Sequence, residues 1–317
     1  MSNAPMPAAG KLRLRLPATS ANLGPGFDAA AVALDFYLDI EAESAAEFSI
    51  AATGRDRARC GRLEDNLVLD LYRRLLTENN RAVVPLALRM ENGIPLGMGC
   101  GSSAAGRLAA IALAVHFGEL GWTSERIVEE ACALEGHPDN AVACWLGGFV
   151  AAASEGRKVH VARAVPPEAW RAIVVLPADP LPTSKARAVL PAAYSRVDVV
   201  ANIQSSALLG LAFQQGRADL LRVAMSDRIH QPYRAPICPL LPVLLPLVGE
   251  SGIAGVALSG AGPGVLVIVE SEASLPQAAE AVRNRAMESQ PEPELLVCRF
   301  LARGAASLRE SGLLKGD

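Results

Sequence analysis

The sequence predicts an α+β protein with two domains, and three observations lead to this prediction. The chain has 317 residues, 51% of them hydrophobic, which is more than one core of typical domain size needs. Strand-like and helix-like segments are mixed along the chain without a regular β-α-β alternation. A proline-containing stretch, 162–170, separates two sets of such segments. We therefore place a domain boundary near residue 167, which gives domains over 10–167 and 168–310.

In the first half, strands surround three helices. Alternating charged and leucine residues predict a strand over 11–16, and glycine, proline and asparagine then predict a turn over 17–28. Apolar runs predict further strands over 31–43, 47–52, 83–91 and 147–154. Leucines that share one helical face predict a helix over 65–76, and two longer apolar segments predict helices over 102–118 and 124–136.

The second half repeats the mixture with different spacing. Short apolar runs predict strands over 172–177, 255–259, 265–270 and 294–301. Two longer segments predict helices over 195–216 and 275–289. The order of these elements favours a separate α+β domain over a doubly wound parallel sheet.

The composition argues against several classes of function. The net charge is −3, no cluster of Lys and Arg is present and aromatic residues make up 4%, so we expect no nucleic-acid partner. The longest apolar stretch, 253–269, is interrupted by four glycines and a proline, so we expect no membrane span. The first residues lack the pattern of a signal peptide, and the six cysteines form no CxxC pair. These features predict a cytoplasmic protein with reduced core thiols.

Residues 95–105, PLGMGCGSSAA, place three glycines and two serines at the start of a predicted helix. A helix N-terminus carries unpaired N–H groups and partial positive charge, and glycines let a bulky anion approach them. Serine hydroxyls there can contact phosphate or a bound cation. The stretch has neither the GK[ST] of a Walker loop nor the spacing of GxGxxG. It predicts a phosphate cradle, with a tight turn capped by serine as the alternative.

Two further stretches, TSANLGPGFD at 19–28 and SGAGPG at 259–264, accompany this loop. In order and spacing, the three together resemble the signature motifs of the GHMP kinases, which include galactokinase, homoserine kinase, mevalonate kinase and phosphomevalonate kinase. The resemblance implies the GHMP kinase fold: an N-terminal domain like domain 2 of ribosomal protein S5, and a C-terminal ferredoxin-like α/β sandwich. It also implies that ATP is bound by Pro95, Leu96, Gly97, Met98, Gly99, Cys100, Gly101, Ser102, Ser103, Ala104 and Ala105.

Within that superfamily, five stretches are similar to the homoserine kinase family: 20–28, 135–140, 182–191, 227–234 and 258–263. They imply transfer of a phosphoryl group from ATP to the hydroxyl of L-homoserine, as in threonine biosynthesis. Cys100 and Gly264 depart from the family pattern, where leucine and serine are usual. Because Cys100 precedes a helix, we expect a lowered thiol pKa and sensitivity to alkylation.

Three alternatives stay open at this point. Another GHMP kinase would act on a different amino or hydroxy acid. A kinase-like sensor of metabolites would be expected to have lost Glu135 or a loop glycine, which this chain retains. An RNA-binding module of the S5 type is disfavoured by the acidic charge balance. The oligomeric state is open too, with a homodimer as one option.

The resemblance implies roles for the residues of phosphoryl transfer. Glu135 and one serine, Ser103 in preference to Ser102, would hold Mg²⁺. Asn140 would orient the reacting hydroxyl. Whether Asp139 accepts its proton, or the phosphate itself does, is left open, since a loose transition state needs no strong base. The structural alternatives are a solvated helix-end glutamate and simple helix caps.

The resemblance also implies a pocket for an amino acid. Arg187 and Arg234, predicted to lie in loops, would clamp a carboxylate in paired hydrogen bonds, although a surface salt bridge is the ordinary role of arginine. Asp28 and Asn22 would hold the amino end and the hydroxyl. The full set implied to bind the substrate is Asn22, Asp28, His137, Asn140, Thr183, Arg187, Arg234 and Gly260. His230 and Gln231 either join this pocket or are structural.

Overall fold

The structure is a computed structural model of the 317-residue chain and describes residues 10–289 and 293–307. Its first half contains these elements: β1 (Leu12–Asn22), β2 (Gly26–Ser44), β3 (Ser49–Gly54), α1 (Arg57–Cys60), α2 (Leu67–Glu78), β4 (Leu86–Asn92), α3 (Ser102–Phe117), α4 (Ser124–Glu135), α5 (Asp139–Leu146), β5 (Phe149–Glu155) and β6 (Lys158–Ala164). A six-stranded sheet has the order β3-β4-β2-β5-β6, with β1 paired to β2. Only the β3–β4 pair is parallel.

The second half contains β7 (Arg171–Leu176), α6 (Thr183–Ala188), α7 (Arg196–Gln215), α8 (Ala218–Ala224), α9 (Gln231–Arg234), α10 (Leu240–Leu244), β8 (Ile253–Leu258), β9 (Val265–Val269), α11 (Leu275–Ala286) and β10 (Glu294–Arg299). The four strands pair antiparallel in the order β10-β7-β9-β8. Numbered within this half, that order is 4-1-3-2, with helices between the first and second strands and between the third and fourth. This is the ferredoxin-like arrangement, and the α+β prediction is confirmed.

Strands β7 and β9 are buried on both faces, and one of these faces packs against the first half of the chain. Successive side chains of a strand point to opposite sides of the sheet. Val174 and Leu266 accordingly join the large core that extends under the six-stranded sheet. Their neighbours Val175 and Val267 pack into a second core with α10 and α11. Because both faces are covered, these strands are apolar throughout rather than alternating.

The turn predicted over 17–28 is wrong in its extent. Strand β1 continues to Asn22 and β2 begins at Gly26, so only three residues connect them. Asn22 and Leu23 both adopt left-handed backbone angles, φ 69° and 49°, which allows so short a reversal. The polar residues Thr19 and Ser20 are fully buried in the strand, where hydrogen bonds satisfy them.

The predicted boundary near residue 167 lies in the irregular segment between β6 and β7. Division of the chain at this point stays a prediction, since the large core contains residues from both sides of it. The predicted second domain, 168–310, also includes 290–292 and 308–310, which lie outside the described residues. No helix in the described part of the chain is both long and apolar enough to cross a membrane.

Candidate active site

The glycine loop between β4 and α3 packs closely against its neighbours because its glycines have no side chains. Gly99 and Gly101 have left-handed angles, φ 80° and 73°, which a side chain would strain. A Cβ atom on Gly99 would overlap the carbonyl oxygen of Ser259, and one on Gly101 would overlap the Thr19 hydroxyl. The loop therefore needs glycine at both positions in order to pack against β1 and the 259–264 turn.

The three glycine-containing stretches meet at this point. Thr19 donates its backbone N–H to the Cys100 carbonyl at 3.1 Å. Ser259 Oγ donates to the carbonyl oxygen of Gly99 at 2.8 Å, and Asn22 Nδ2 donates to the carbonyl oxygen of Gly260 at 2.7 Å. Three segments that are far apart in sequence thus form one rigid wall.

Helix α3 starts at Ser102, with Gly101 at the cap position and no side-chain hydrogen bond to its first turn. The serine-cap alternative is thus not what the structure shows. The N-terminus of α3 instead lines a cavity of about 650 Å³. Such a helix end attracts anions through its N–H groups and its dipole. The geometry fits the predicted phosphate cradle.

The cavity brings most of the predicted site residues together. From the loop it is lined by Leu96, Gly97, Gly99, Cys100, Gly101, Ser102, Ser103 and Ala104. From elsewhere in the chain it is lined by Asn22, Asp28, Glu135, His137, Asp139, Asn140, Thr183, Arg187, Arg234 and Gly260. Pro95, Met98 and Ala105 are not among its lining residues. One wall is apolar and consists of Leu38, Leu67, Val68, Met90 and Ile94.

Glu135 and Ser103 lie close enough to share one cation. A single guanidinium nitrogen, Nη1 of Arg107, contacts both Glu135 Oε1 and Ser103 Oγ. Glu135 ends α4, and its side chain is only 8% exposed. A carboxylate and a hydroxyl oxygen are ligands that Mg²⁺ accepts, together with phosphate oxygens and water. The two residues therefore fit the predicted metal site.

Asp139, at the start of α5, is 1% exposed and orients its neighbours. Its Oδ1 accepts from the backbone N–H of Asn140 at 2.6 Å and from Asn140 Nδ2 at 3.2 Å. The same oxygen is 2.6 Å from Nδ1 of His137. Thr19 Oγ1 donates to Asn140 Oδ1 at 2.7 Å, so the Asn140 amide is fixed at both ends.

The pKa of His137 reflects two opposing effects. Burial alone would lower it, but the hydrogen bond and the charge of Asp139 raise it above its ordinary value. Asp28, His137 and Asp139 also bring three ligand atoms within 4.8 Å of one another. Their bonds to each other and to Arg187 account for this cluster, so we assign it no metal.

Arg187 forms a two-pronged ion pair with Asp28. Its Nη1 and Nη2 donate to Oδ2 and Oδ1 of Asp28 at 3.0 and 2.8 Å. The Asp28 carboxylate raises the pKa of Arg187, whose side chain is 39% exposed. Two residues predicted to bind opposite ends of an amino acid therefore bind each other here.

Arg234 differs in that it is 1% exposed. Its Nε donates to the carbonyl of Ala186 at 3.0 Å, and its Nη1 donates to Nδ1 of His230 at 3.1 Å. No described carboxylate lies within ion-pairing distance of it, and its Nη2 makes no hydrogen bond to the described residues. Burial lowers its pKa, and the charge of Arg187 adds to this effect. Within the described part of the chain, the cavity wall therefore contains a buried cation that is not paired with an anion.

Phe27 and His230 hold the two arginines in place. The guanidinium carbons of Arg187 and Arg234 lie 5.6 and 5.3 Å from the Phe27 ring centroid, within cation–π range. His230 is fully buried, stacks on Phe27 at 5.2 Å and lies 2.8 Å from the Gly24 carbonyl oxygen through Nε2. Burial lowers the pKa of His230, so it is neutral and accepts from Arg234.

His230 and Gln231 do not line the cavity. His230 accepts a hydrogen bond from Arg234 through Nδ1. Gln231 Oε1 accepts a hydrogen bond from the backbone N–H of Leu258 at 2.7 Å. These contacts favour a structural role for both residues over a place in the pocket.

Two predictions for this region are wrong. Arg187 lies in α6 and Arg234 in α9, not in loops. Proline misled the prediction: Pro182 immediately precedes α6, and Pro232 lies in the first turn of α9, where proline is tolerated. The thiol pKa of Cys100 is also not lowered, because complete burial raises it to about 12.

Sequence reasoning missed Arg107, Thr19 and Phe27. Arg107 could have been found, since it follows Ser103 by one helical turn and shares its face. Thr19 and Phe27 lie inside a motif that was recognised, but their contacts to Asn140 and the arginines cross long stretches of sequence.

Models of known families match both halves of the chain. The GHMP kinases N terminal domain matches residues 66–148, and the GHMP kinases C terminal domain matches residues 211–288. Together with the two sheets, the glycine loop and the cavity, these matches define the chain as a small-molecule kinase of the GHMP class.

Curated relatives narrow the class further. The chain is 44% identical over 258 residues to homoserine kinase of Solibacter usitatus, covering 81% of this chain and 84% of the relative. It is 38% identical to homoserine kinase of Moorella thermoacetica, covering 80% and 86%. The chain belongs to the homoserine kinase family.

Solved structures agree on the fold. Homoserine kinase from Cytophaga hutchinsonii superposes with a TM-score of 0.79 at 22% identity, covering 96% of this chain and 98% of that one. Mevalonate kinase of L. major in complex with R-mevalonate gives a TM-score of 0.71 at 15% identity, covering 97% and 100%. At these identities the likeness establishes the fold alone.

Proposed function

We propose that this chain transfers the terminal phosphoryl group of ATP, with Mg²⁺, to the hydroxyl of L-homoserine, forming O-phospho-L-homoserine for threonine biosynthesis. The single observation that carries the proposal is Arg234. It is a buried guanidinium that has no anionic partner among the described residues, on the wall of the cavity that also contains the helix-start glycine loop. A substrate with a carboxylate would supply the missing charge, and the glycine loop would supply the phosphate site.

The glycine loop end of the cavity would hold the nucleotide. The N-terminus of α3 and the hydroxyls of Ser102 and Ser103 would bind phosphate oxygens, while the apolar wall would receive the base. Glu135 and Ser103 would hold Mg²⁺, which, when bound, neutralises charge on the transferring phosphoryl group.

The arginine end would recognise a zwitterion. The Arg187–Asp28 pair presents one cation and one anion on the cavity wall, next to Arg234. An amino acid can engage both members, with its ammonium group on Asp28 and its carboxylate on the two arginines. Asn22 holds this arrangement, since its Oδ1 accepts from the Asp28 backbone at 3.0 Å. Thr183 and Gly260 complete the wall.

Asn140 would position the reacting hydroxyl between these two ends. Its Oδ1 is engaged by Thr19, but Nδ2 carries a second hydrogen besides the one donated to Asp139. That hydrogen can be donated to the substrate oxygen. Asp139 Oδ1 is occupied by three donors, which supports a role in orienting Asn140 and His137 rather than in proton abstraction. The proton can pass to the phosphate itself.

Another GHMP kinase, acting on a different amino or hydroxy acid, is the alternative. The Arg187–Asp28 pair favours an acid that carries an amine, since a plain hydroxy acid would leave Asp28 without a new partner. We also propose a cytoplasmic location, which the free cysteines support: five are buried and Cys60 is partly exposed.

A phosphorylation assay of the purified chain tests the function. With ATP and Mg²⁺, L-homoserine should give O-phosphohomoserine, detected by ³¹P NMR, and should have the highest kcat/KM in a panel containing L-serine, mevalonate and shikimate. Faster turnover of mevalonate or shikimate would contradict the proposal. Omission of the acceptor gives the background rate of ATP hydrolysis.

A further inference from the structure

Arg107 binds the two oxygen atoms that the proposed metal site would use as ligands. It lies on α3 one turn after Ser103, and its Nη1 contacts both Ser103 Oγ and Glu135 Oε1. These contacts are the ones expected of a bound cation. Neither the glycine loop nor the substrate pocket gives Arg107 a role.

The charge of Glu135 explains why a cation is held there. A carboxylate that is only 8% exposed is costly without a counter-charge. On the Oε2 side, Nε2 of His137 is 3.8 Å away, beyond hydrogen-bond distance. Among the described residues, Arg107 is therefore the direct partner of Glu135.

A guanidinium and a divalent cation cannot use these oxygens together. They would occupy the same space, and two like charges at that separation repel strongly. One of them must leave when the other binds. The side chain of Arg107 is 25% exposed and has a flexible stem, so it is free to move.

We propose that Arg107 is an exchangeable cation: it neutralises Glu135 and hydrogen-bonds to Ser103 until metal binds, and it then moves onto the phosphates of the nucleotide. The inference rests on the proposed use of ATP and Mg²⁺. Arg107 lines the same cavity as Gly101 and Ser102, next to the predicted phosphate cradle. A planar guanidinium pairs with two phosphate oxygens at once, which makes this second position favourable.

The exchange predicts that one substitution moves two affinities in opposite directions. In Arg107→Met the competitor for the carboxylate is gone, so Mn²⁺ should bind the nucleotide-free protein about threefold more tightly or better. The phosphate partner is gone as well, so ATP in the presence of EDTA should bind about tenfold more weakly. A purely structural salt bridge would not produce opposite changes.

The experiment measures Mn²⁺ binding by electron paramagnetic resonance and metal-free ATP binding by calorimetry. Arg59→Met is the matched control, because Arg59 lines the same cavity but forms no ion pair with Glu135. Arg107→Gln, which keeps polar atoms but not the charge, should show the same directions as Arg107→Met and serves if the methionine variant folds poorly. Thermal melts should show Arg107→Met destabilised without metal and recovering with Mn²⁺.

Equal shifts in the Arg107 and Arg59 variants would overturn the inference, since they would show only the loss of a distant charge. A fall in both affinities, or no change in either, would overturn it too. If the unaltered protein binds Mn²⁺ and ATP, these failures leave the proposed function standing. If it binds neither, the proposed function falls together with the inference.

Discussion

The two ends of the cavity are built in different ways. At the nucleotide end, one continuous stretch, 97–103, supplies a bare backbone and a helix start, and Glu135 is the main addition from elsewhere. At the substrate end, Asp28, Arg187 and Arg234 come from three distant segments and meet around one ring, Phe27. The first end depends on backbone geometry, and the second depends on how charged side chains are packed. Substitutions should therefore affect the two ends by different amounts and through different kinetic constants.

The largest effect is expected at the nucleotide end. Glu135→Gln removes the charged ligand of the proposed metal site and should lower kcat/KM by about a hundredfold or more at limiting magnesium. A coupled ATP assay with varied magnesium measures it. Glu125→Gln, at the other end of the same helix, is the control and should be near normal. Near-normal turnover of the Glu135 variant at all magnesium concentrations would contradict the assignment of Glu135 to the metal site.

A smaller effect is expected from the exposed arginine. Arg187→Leu removes one hydrogen-bonded charge, so KM for homoserine should rise about tenfold. KM for ATP should stay nearly constant, because Arg187 contacts Asp28 rather than the glycine loop. Steady-state kinetics with each substrate varied in turn gives both values. Equal rises in KM for homoserine and KM for ATP would contradict the assignment of separate ends of the cavity to the two substrates.

Asp139, which lies between the ends, tests whether the protein supplies a general base. If it only orients Asn140 and His137, Asp139→Asn should lower kcat by less than the roughly 10²–10⁴-fold that a general base supplies. Asn140→Ala serves as the comparison and should be the more damaging change, since it leaves the hydroxyl unpositioned. A larger loss for Asp139→Asn than for Asn140→Ala would identify Asp139 as the base.

The smallest effect concerns Cys100. It lies in the glycine loop, but it is buried and burial raises its pKa to about 12, so little thiolate exists near neutral pH. Iodoacetamide should leave Cys100 unmodified in the folded protein, as read by peptide mass spectrometry, while the more exposed Cys60 provides the positive control. Rapid labelling of Cys100 with loss of activity would show that the loop opens.

The comparison also explains what could be predicted from sequence. The limits of α3 and α4 and the glycine loop are local properties, and the sequence predicted them closely. Helices α6 and α9 were missed, because each is six residues or shorter and has a proline at or next to its first residue. The burial of Arg234 and the Arg187–Asp28 pair both depend on contacts between distant segments. Arg187 and Asp28 are 159 residues apart in sequence, and no local sequence pattern indicates such a contact. The resemblance brought these residues into one pocket, but it did not indicate that Arg187 and Asp28 pair with each other.

Recognition of a carboxylate by the buried Arg234 is the most direct point at which to test the function. The measurement compares kcat/KM for L-homoserine and for 3-aminopropan-1-ol, which lacks the carboxylate, in the unaltered protein and in Arg234→Leu. Loss of a buried, charge-assisted hydrogen bond should lower kcat/KM for homoserine by about 10–100-fold. Activity on the amino alcohol, which we expect to be poor in the unaltered protein, should change little, so the preference for homoserine should be lost. An equal loss on both compounds, or an unchanged preference, would contradict the account.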